Sequence, residues 1–336
     1  MRGGFTPVPE DPRHLSLDAV RTAGGEIERN GSASILDLGD GVACLEFHSK
    51  MNAIDPDTLG MVKQSLDHVG KKMKALVIHN EADNFSVGAN IGLALFAANI
   101  AMWPMIDDLI GQGQAAYKAV KFAPFPVVGA PSGMALGGGC EILLHCAAVV
   151  AHAETYMGLV EVGVGLIPGW GGCKELLLRN QPGPRDPKGP MPPVAAAFES
   201  ISLAKVAKSA AEAKELKFLR STDGITMNRD RVLHDAKLQA LTLAETGYAA
   251  PLPRTDIPAP GDSVLAALKL GIHMLREGEQ ASDHDVVVAT HLAEVLCGGA
   301  VTPGTPISEH SLLELERQHF LSLCGERKTQ ERIGHT

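Results

Sequence analysis

The chain has few aromatic residues, no paired cysteines and no excess of basic charge, and each shortage excludes a class of protein. Aromatics make up 4% of its 336 residues, and no basic stripe with interleaved aromatics occurs. Because nucleic-acid binding draws on clustered Lys and Arg, the formal net charge of -9 argues against a nucleic-acid partner. The six cysteines lie far apart without a CxxC pair, so neither a zinc site nor a dense disulfide scaffold is indicated.

A signal-peptide pattern and a long uninterrupted apolar run are also missing. Residues 1–9 lack the basic-then-apolar order of a signal peptide, and the most apolar stretch, residues 134–150, contains Glu141 and His145. We therefore read this stretch as core, predict no membrane span and expect a reduced, cytoplasmic protein. The length allows one large core plus an accessory piece, and the 45% hydrophobic share is typical of globular proteins.

Turn and loop signals divide the chain into three predicted parts. Residues 1–33, with "PVPEDPRH", are too polar and too broken for a core, and we read them as a leader or severed linker. From Ser34 two apolar runs flank Gly39-Asp40-Gly41, a hairpin signal that opens a domain extending to residue 250. Residues 251–336 are predicted to form a helical C-terminal extension, because apolar positions recur there at helical spacing.

Strand and helix signals alternate within the middle part. Asp55 and Pro56 begin a helical pattern that runs to about residue 69 and precedes the buried strand "ALVIH". "FPVVGAPSG" indicates another strand, followed by the apolar helix "CEILLHCA" and the strand "AVVAHA". This order predicts an α/β fold of stacked strand-helix units. Residues 180–193 contain six prolines and are predicted to be a surface loop.

The segment "GMALGGGCE" (133–141) is the first candidate for chemistry. Three glycines at a strand-to-helix junction let backbone N–H groups approach a ligand, and a helix N-terminus favours negative charge. The segment lacks the Lys-Ser/Thr of a phosphate loop and the spacing of a dinucleotide-binding loop. It predicts an anion or oxyanion site, with a tight turn that needs no Cβ as the alternative.

Two glutamates embedded in apolar and glycine-rich sequence are the second candidate. Glu141 directly follows the glycines, and Glu161 precedes "VGVGLIPGWGG". Burial and mutual repulsion would separate their pKa values and leave one proton donor and one acceptor, as general acid/base chemistry requires. The alternative is a pair of unrelated, salt-bridged acids.

Three stretches, in this order and spacing, resemble the signature stretches of enoyl-CoA hydratases: "FSVGANI" (85–91), "GMALGGGCE" (133–141) and "EVGVGLIPGWGG" (161–172). The resemblance covers roughly residues 34–250 and implies the crotonase (ClpP-like) α/β fold of repeated β-β-α units. It implies that the N–H groups of Ala89 and Gly138 form an oxyanion hole. It also makes Glu141 and Glu161 the two catalytic glutamates and Gly169 the residue that helps to position water.

The resemblance further implies a site for the CoA moiety. "SKMNAI" (49–54) is similar to the family segment beside CoA, which makes Lys50 and Met51 candidate contacts, together with Gly88, Asn90 and Ile91. Asn90 stands where an aspartate is commoner in the family. The segment "HCAAVV" lacks the aspartate that usually follows the cysteine. Met102, Trp103, Met105 and Ile106 are candidates for the acyl tunnel, or equally for ordinary helix core.

A closer resemblance concerns "PVPEDPRHLSL", "LDLGDGVACLEFHSKMNAID" and "STDGITMNRDR". They resemble the C-terminal hydratase part of fused 3-hydroxyacyl-CoA dehydrogenase/enoyl-CoA hydratase proteins, in which a dinucleotide-binding half comes first. We therefore expect a split gene product or a fragment, with a 3-hydroxyacyl-CoA dehydrogenase as a candidate partner. The family also suggests a homo-oligomer, either a trimer or a hexamer.

These resemblances predict an enoyl-CoA hydratase, a hydro-lyase of fatty-acid beta-oxidation. The acyl-CoA is the substrate, and CoA enters as part of it; neither a metal nor a redox cofactor is needed. An enoyl-CoA isomerase and a thioester hydrolase are the alternatives that share the fold. The alternative of another class is a non-catalytic module that docks to a dehydrogenase, whose marker would be a lost glutamate.

Overall fold

The computed structural model describes residues 11, 13–183 and 189–335. Its strands are β1 (Glu26–Arg29), β2 (Ala33–Asp37), β3 (Val42–Phe47), β4 (Ala75–His79), β5 (Val127–Ala130), β6 (Met134–Leu136), β7 (Ala148–His152), β8 (Tyr156–Gly158), β9 (Val206–Ala207), β10 (Gly224–Thr226), β11 (Ile257–Pro258) and β12 (Pro306–Ile307). Its α-helices are α1 (Leu17–Thr22), α2 (Pro56–Lys72), α3 (Ile91–Asn99), α4 (Trp103–Lys121), α5 (Gly138–His145), α6 (Gly172–Arg179), α7 (Met191–Ser202), α8 (Ala210–Glu215), α9 (Val232–Glu245), α10 (Gly261–Glu277), α11 (Asp283–Leu296), α12 (Glu309–Cys324) and α13 (Arg327–Gly334).

Seven strands form the main sheet in the order β1-β2-β3-β4-β5-β7-β10. The first three run antiparallel, and from β3 onward each neighbour is parallel. The predicted hairpin joins β2 to β3 through Gly39, Asp40 and Gly41, which all have positive φ. Glycine adopts this conformation without a Cβ clash, and Asp is tolerated there.

Both faces of the sheet are covered, which explains why its central strands read as unbroken apolar runs. All five residues of β4 are buried. Leu76 and Ile78 join the larger core cluster with α2 and α4, whereas Val77 joins the cluster under α9 with Val232 and Leu233. Each fully buried Val, Leu or Ile side chain contributes roughly 1.5–3 kcal/mol relative to exposure.

The second, smaller sheet (β6-β8-β9) positions the glycine turn. β6 passes through Gly137, which has a φ of 52°, directly into α5. α5 is buried along its whole length. The start of α2 follows its sequence signal, since the Asp55 carboxylate accepts the N–H of Thr58 at 2.8 Å and Pro56 occupies the first helical position.

The N-terminal residues add structure that their composition does not suggest. Within the predicted leader, α1 packs on β2, and β1 extends the main sheet although all four of its residues are exposed. Residues 1–10 and 12, with most of "PVPEDPRH", lie outside the described residues. The three-part division of the chain stays a prediction.

The C-terminal residues form the predicted helices, and these pack onto the middle part. α11 contacts α6 and α7, α12 contacts α4 and α6, and α13 contacts α3. α7 begins at Met191, inside the predicted proline-rich loop, because prolines are tolerated in the first turn of a helix. Residues 184–188 of that loop lie outside the described residues. Within the described part of the chain, no helix is long and apolar enough to cross a membrane.

Candidate active site

A mainly apolar pocket opens where α3, α4, α5 and α12 meet. It encloses about 770 Å³ of space free of atoms, including its open mouth. α4 lines it with Ile106 and Ile110, and α12 contributes Phe320. The only acidic side chains on its wall are Glu141 and Glu161, among the residues that the structure describes. The predicted pair therefore meets in one apolar site.

The glycine turn forms part of the pocket wall and brings two backbone N–H groups close together. A Cβ placed on Gly138 would lie 3.4 Å from the Ala89 nitrogen and 2.8 Å from the Trp170 ring. The bridge between Ile54 and Ala89 uses the N–H groups of Ile54 and Asn90 but not that of Ala89. Gly138 begins α5, so its N–H has no partner within the helix. This arrangement suits a negatively charged oxygen.

Glu141 lies in the first turn of α5 and is 2% exposed. Its Oε1 accepts the N–H groups of Trp170 and Gly172, each at 2.8 Å. Burial raises the pKa of this carboxyl to about 7, although the two N–H groups and the charge of Lys174 oppose the rise. Glu141 is therefore a buried acceptor that titrates near neutral pH.

Glu161 begins a short 3₁₀ turn, Glu161–Val164, shortly after β8 ends at Gly158. A Cβ on Gly137 would lie 3.2 Å from its Oε1, which puts the carboxyl against the glycine turn. The residue as a whole is partly exposed, yet its Oε2 is buried and has no hydrogen-bond partner among the described residues. Burial, followed by the neighbouring Glu141 carboxylate, raises the pKa of Glu161 well above its ordinary value.

The two environments separate the roles that the carboxyls can take. Two N–H donors favour the charged form of Glu141, whereas an unpartnered oxygen favours the protonated form of Glu161. Neither acid forms a salt bridge within the described part of the chain, and both line the same pocket. The alternative of two unrelated, salt-bridged acids does not fit this arrangement.

The turn that leads into α6 closes the pocket beside Glu141. Gly169 lines the pocket, and its carbonyl oxygen accepts a hydrogen bond from the Gln114 side chain at 2.9 Å. Glu316 of α12 accepts the N–H of Gly171 at 2.8 Å and that of Lys174 at 2.7 Å. The sequence analysis missed Glu316. The sequence pattern that could have identified it is that Glu316 lies at helical spacing from Leu312 and Leu313, on the apolar face of α12.

A buried charge cluster, which the sequence analysis also missed, lies beneath α6. The Lys174 ammonium is 3.1 Å from a Glu309 oxygen and 3.3 Å from His145 Nε2, and it also contacts Glu175. Lys121 joins both carboxylates at 2.6 and 2.7 Å. Burial, with Lys174 as the next cause, lowers the pKa of His145 to about 3. His145 is therefore uncharged near neutral pH and serves as a buried hydrogen-bond partner of Lys174.

The other predicted contacts divide into two groups. Asn90 and Ile91 line the pocket with Ala89, whereas Lys50 and Met51 are exposed and lie outside its wall. Gly88 lies just behind the wall, since a Cβ there would be 3.3 Å from the Gly138 nitrogen. Of residues 102–106, Ile106 alone is on the wall, among the described residues.

Comparisons with known families and proteins agree with the motifs. Residues 37–185 match the family model described as enoyl-CoA hydratase/isomerase. The chain is 43% identical over 334 residues to the "Probable 3-hydroxyacyl-CoA dehydrogenase" of Bacillus subtilis (strain 168), covering 99% of this chain and 42% of that protein. It is 28% identical over 285 residues to the "Putative fatty acid oxidation complex trifunctional enzyme" of Rickettsia felis, covering 85% and 36%. The chain thus spans less than half the length of these relatives.

The likeness among solved structures concerns the fold. The enoyl-CoA hydratase from Bacillus halodurans has a TM-score of 0.60 at 14% identity, covering 91% of this chain and all of that one. At this identity the comparison carries no argument about chemistry. The predicted fold class is confirmed: a mixed α/β fold that matches crotonase structures, with the C-terminal helices α10–α13 added.

Proposed function

Because this chain belongs to the enoyl-CoA hydratase/isomerase (crotonase) superfamily and is related to fatty-acid oxidation proteins, we propose that it is an enoyl-CoA hydratase. Its reaction would be the addition of water across the 2,3 double bond of an acyl-CoA thioester. One observation carries the proposal: Glu141 and Glu161 line one apolar pocket, next to a glycine turn with two neighbouring backbone N–H groups.

The N–H groups of Ala89 and Gly138 serve as the oxyanion hole. As water adds to C3, negative charge develops on the thioester oxygen, and prepositioned N–H groups stabilise that charge more than they stabilise the neutral carbonyl. The apolar surroundings strengthen this interaction because they exclude water. Loss of one such donor typically lowers the rate by about 100-fold or more.

The two glutamates divide the proton transfers. Glu141 takes a proton from the water molecule whose oxygen attacks C3, and Glu161 delivers a proton to C2. Glu141 gains one proton and Glu161 loses one, so the total number of protons on the two carboxyls is unchanged. Dehydration uses the same steps in reverse. Gly169, on the turn beside Glu141, helps to position the water. The pKa of about 7 suits Glu141 to take a proton near neutral pH, and the raised pKa of Glu161 favours the protonated form that a donor needs.

The substrate enters with its acyl chain in the apolar pocket and its CoA moiety at the mouth. The pocket wall includes Asn90 and Ile91, and Gly88 lies next to it. We assign these three residues to contacts near the thioester. Lys50 and Met51 are exposed on the preceding turn and remain candidates for the CoA moiety. The adenine and phosphates of CoA stay outside the apolar part, where water solvates their charge.

The product of hydration connects the proposal to the relatives. A 3-hydroxyacyl-CoA is what a 3-hydroxyacyl-CoA dehydrogenase oxidises, and the Bacillus subtilis relative carries that name. We therefore place the chain in fatty-acid beta-oxidation, with such a dehydrogenase as the candidate partner. An isomerase can work with one carboxylate, so the presence of two in one pocket favours hydration.

The first experiment is to mix the purified protein with crotonyl-CoA, without NAD, and to follow the loss of the conjugated enoyl absorbance. Glu141→Gln and Glu161→Gln are measured in parallel, with the exposed Glu314→Gln as the control. Loss of absorbance that both site variants abolish, at roughly 100-fold or greater reduction, supports the hydratase. A folded wild-type protein that leaves crotonyl-CoA unchanged but converts a 3-enoyl-CoA to the conjugated isomer would refute hydration in favour of isomerisation.

A further inference from the structure

A third buried carboxyl adjoins the site, and it comes from α12. Glu316 is 0% exposed, and it accepts the Gly171 N–H on Oε2 and the Lys174 N–H on Oε1. α12 spans Glu309–Cys324 and so lies outside residues 37–185, which match the family model. The contact therefore joins the C-terminal helices of this chain to the family's part of the pocket.

Glu141 and Glu316 hold the same turn from two directions. Glu141 binds the N–H groups of Trp170 and Gly172, while Glu316 binds those of Gly171 and Lys174. These groups are at the start of α6, where N–H groups have no partners within the helix. Along the turn, the N–H groups thus bind Glu141 and Glu316 by turns: residues 170 and 172 bind Glu141, and residues 171 and 174 bind Glu316.

The position of Glu141 depends on this turn. Within the described part of the chain, both hydrogen bonds to its carboxyl come from Trp170 and Gly172. Gly171, between them, is bound by Glu316 and has a φ of 107°, a conformation that favours glycine. A displacement of Gly171 would move both of its neighbours and, with them, the Glu141 carboxyl.

A buried carboxyl at this position lowers the stability of the fold, and its presence therefore points to a role in the site. Glu316 makes no salt bridge among the described residues, and two N–H groups offset only part of the cost of burial. The titratable groups that face it are Glu141 of α5, Glu161 of the 3₁₀ turn, and Cys173 and Lys174 of α6. An apolar side chain on α12 would fill this space without repelling the two acids.

We infer that Glu316 is a positioning residue of this site: it holds the Gly171 and Lys174 N–H groups so that the turn presents Glu141 to the reacting water. The inference about activity rests on the proposed hydratase function. The inference about the turn does not, because it concerns hydrogen bonds that exist without substrate.

The test combines steady-state kinetics with the fluorescence of Trp170. The chain has two tryptophans, Trp103 and Trp170, so a Trp103→Phe background leaves Trp170 as a single reporter in the turn. In Glu316→Gln, the amide NH₂ faces one of the two N–H donors, so the turn loses one of its two hydrogen bonds to this side chain. We expect kcat for crotonyl-CoA to fall by about 10- to 100-fold, because a displacement of about 1 Å can cost 100-fold.

The same variant is expected to change KM less than about 3-fold and to shift the Trp170 emission. Glu316→Asp keeps a carboxyl group on a shorter side chain, so its kcat is expected between those of the wild type and Glu316→Gln. Glu314→Gln, an exposed glutamate on the same helix, is the matched control and should leave kcat and emission unchanged.

The outcomes separate the two proposals. If folded Glu316→Gln keeps the wild-type kcat and emission and loses only thermal stability, Glu316 is structural and the inference is wrong. If Glu316→Gln fails to fold, a wild-type kcat in Glu316→Asp overturns the inference equally. If the wild type does not hydrate crotonyl-CoA, the proposed function fails, and an emission shift in Glu316→Gln but not in Glu314→Gln still supports the role in the turn.

Discussion

Replacing Glu141 by Gln should make the protein more stable at alkaline pH while it abolishes hydration. Both N–H groups that bind Glu141 converge on Oε1, so the carbonyl oxygen of Gln can take that place. What Gln removes is the cost of ionising a buried carboxyl. Burial raises the pKa of Glu141 from 4.5 to about 7, and each pKa unit corresponds to about 1.4 kcal/mol.

The sign follows from proton linkage. A carboxyl with a raised pKa in the folded state lowers stability once the pH exceeds its unfolded pKa, and the loss is complete above its folded pKa. The wild-type penalty therefore grows from pH 4.5 to 7 and reaches about 3 kcal/mol. Between pH 5 and pH 8, the advantage of Glu141→Gln should increase by about 2 kcal/mol, because part of the penalty is already present at pH 5.

Urea unfolding at pH 5 and pH 8, followed by circular dichroism, measures this difference for the wild type and Glu141→Gln. Glu314→Gln controls for the removal of an exposed acid and should show no such increase. An advantage of Glu141→Gln that stays constant or shrinks between the two pH values would refute a raised pKa at this position. Retained hydratase activity in Glu141→Gln would refute its role as the base.

Three further changes test the pocket and its support. Gly138→Ala would place a methyl group 2.8 Å from the Trp170 ring and 3.4 Å from the neighbouring oxyanion N–H; kcat/KM for crotonyl-CoA should fall about 100-fold or more. Phe320→Ala enlarges the pocket, so the ratio of kcat/KM for a ten-carbon over a four-carbon enoyl-CoA should rise about 10-fold or more. Lys174→Met removes one of the two cations that contact the buried Glu175 and Glu309 carboxylates, while Lys121 remains. It should lower the free energy of unfolding by about 1.5–3 kcal/mol; urea unfolding would show this, with exposed Lys118→Met near zero.

The sheet could be predicted where its residues are buried and its turns have specific chemistry. "ALVIH" is β4 because strands covered on both faces need apolar residues throughout, and the Asp-Gly signal marks the β2–β3 turn. β1 could not be predicted in the same way. Its residues "EIER" are all exposed, and it forms by backbone pairing with the edge of β2, which leaves no apolar pattern in the sequence.

The candidate site shows the same division between local and tertiary information. Glu141 and the glycine turn are adjacent in sequence, so a local pattern identifies both. Glu316 and Phe320 lie more than 140 residues from the turn that they contact, and only the packing of α12 on α4 and α6 brings them there. Helical spacing predicts α12 itself, but it does not say which element its apolar face meets.

The buried acids around α6 divide into two classes according to their partners. Glu175 and Glu309 contact Lys174 and Lys121, and these charges outweigh the effect of burial and lower the pKa values of both acids. Glu141, Glu161 and Glu316 form no salt bridge among the described residues, and burial raises their pKa values. Ion pairing thus keeps the first class permanently charged, as a fixed support requires. In the second class, burial raises the pKa of Glu141 to about 7 and those of Glu161 and Glu316 well above the ordinary value; Glu141 and Glu161 line the pocket, and Glu316 holds the turn beside it.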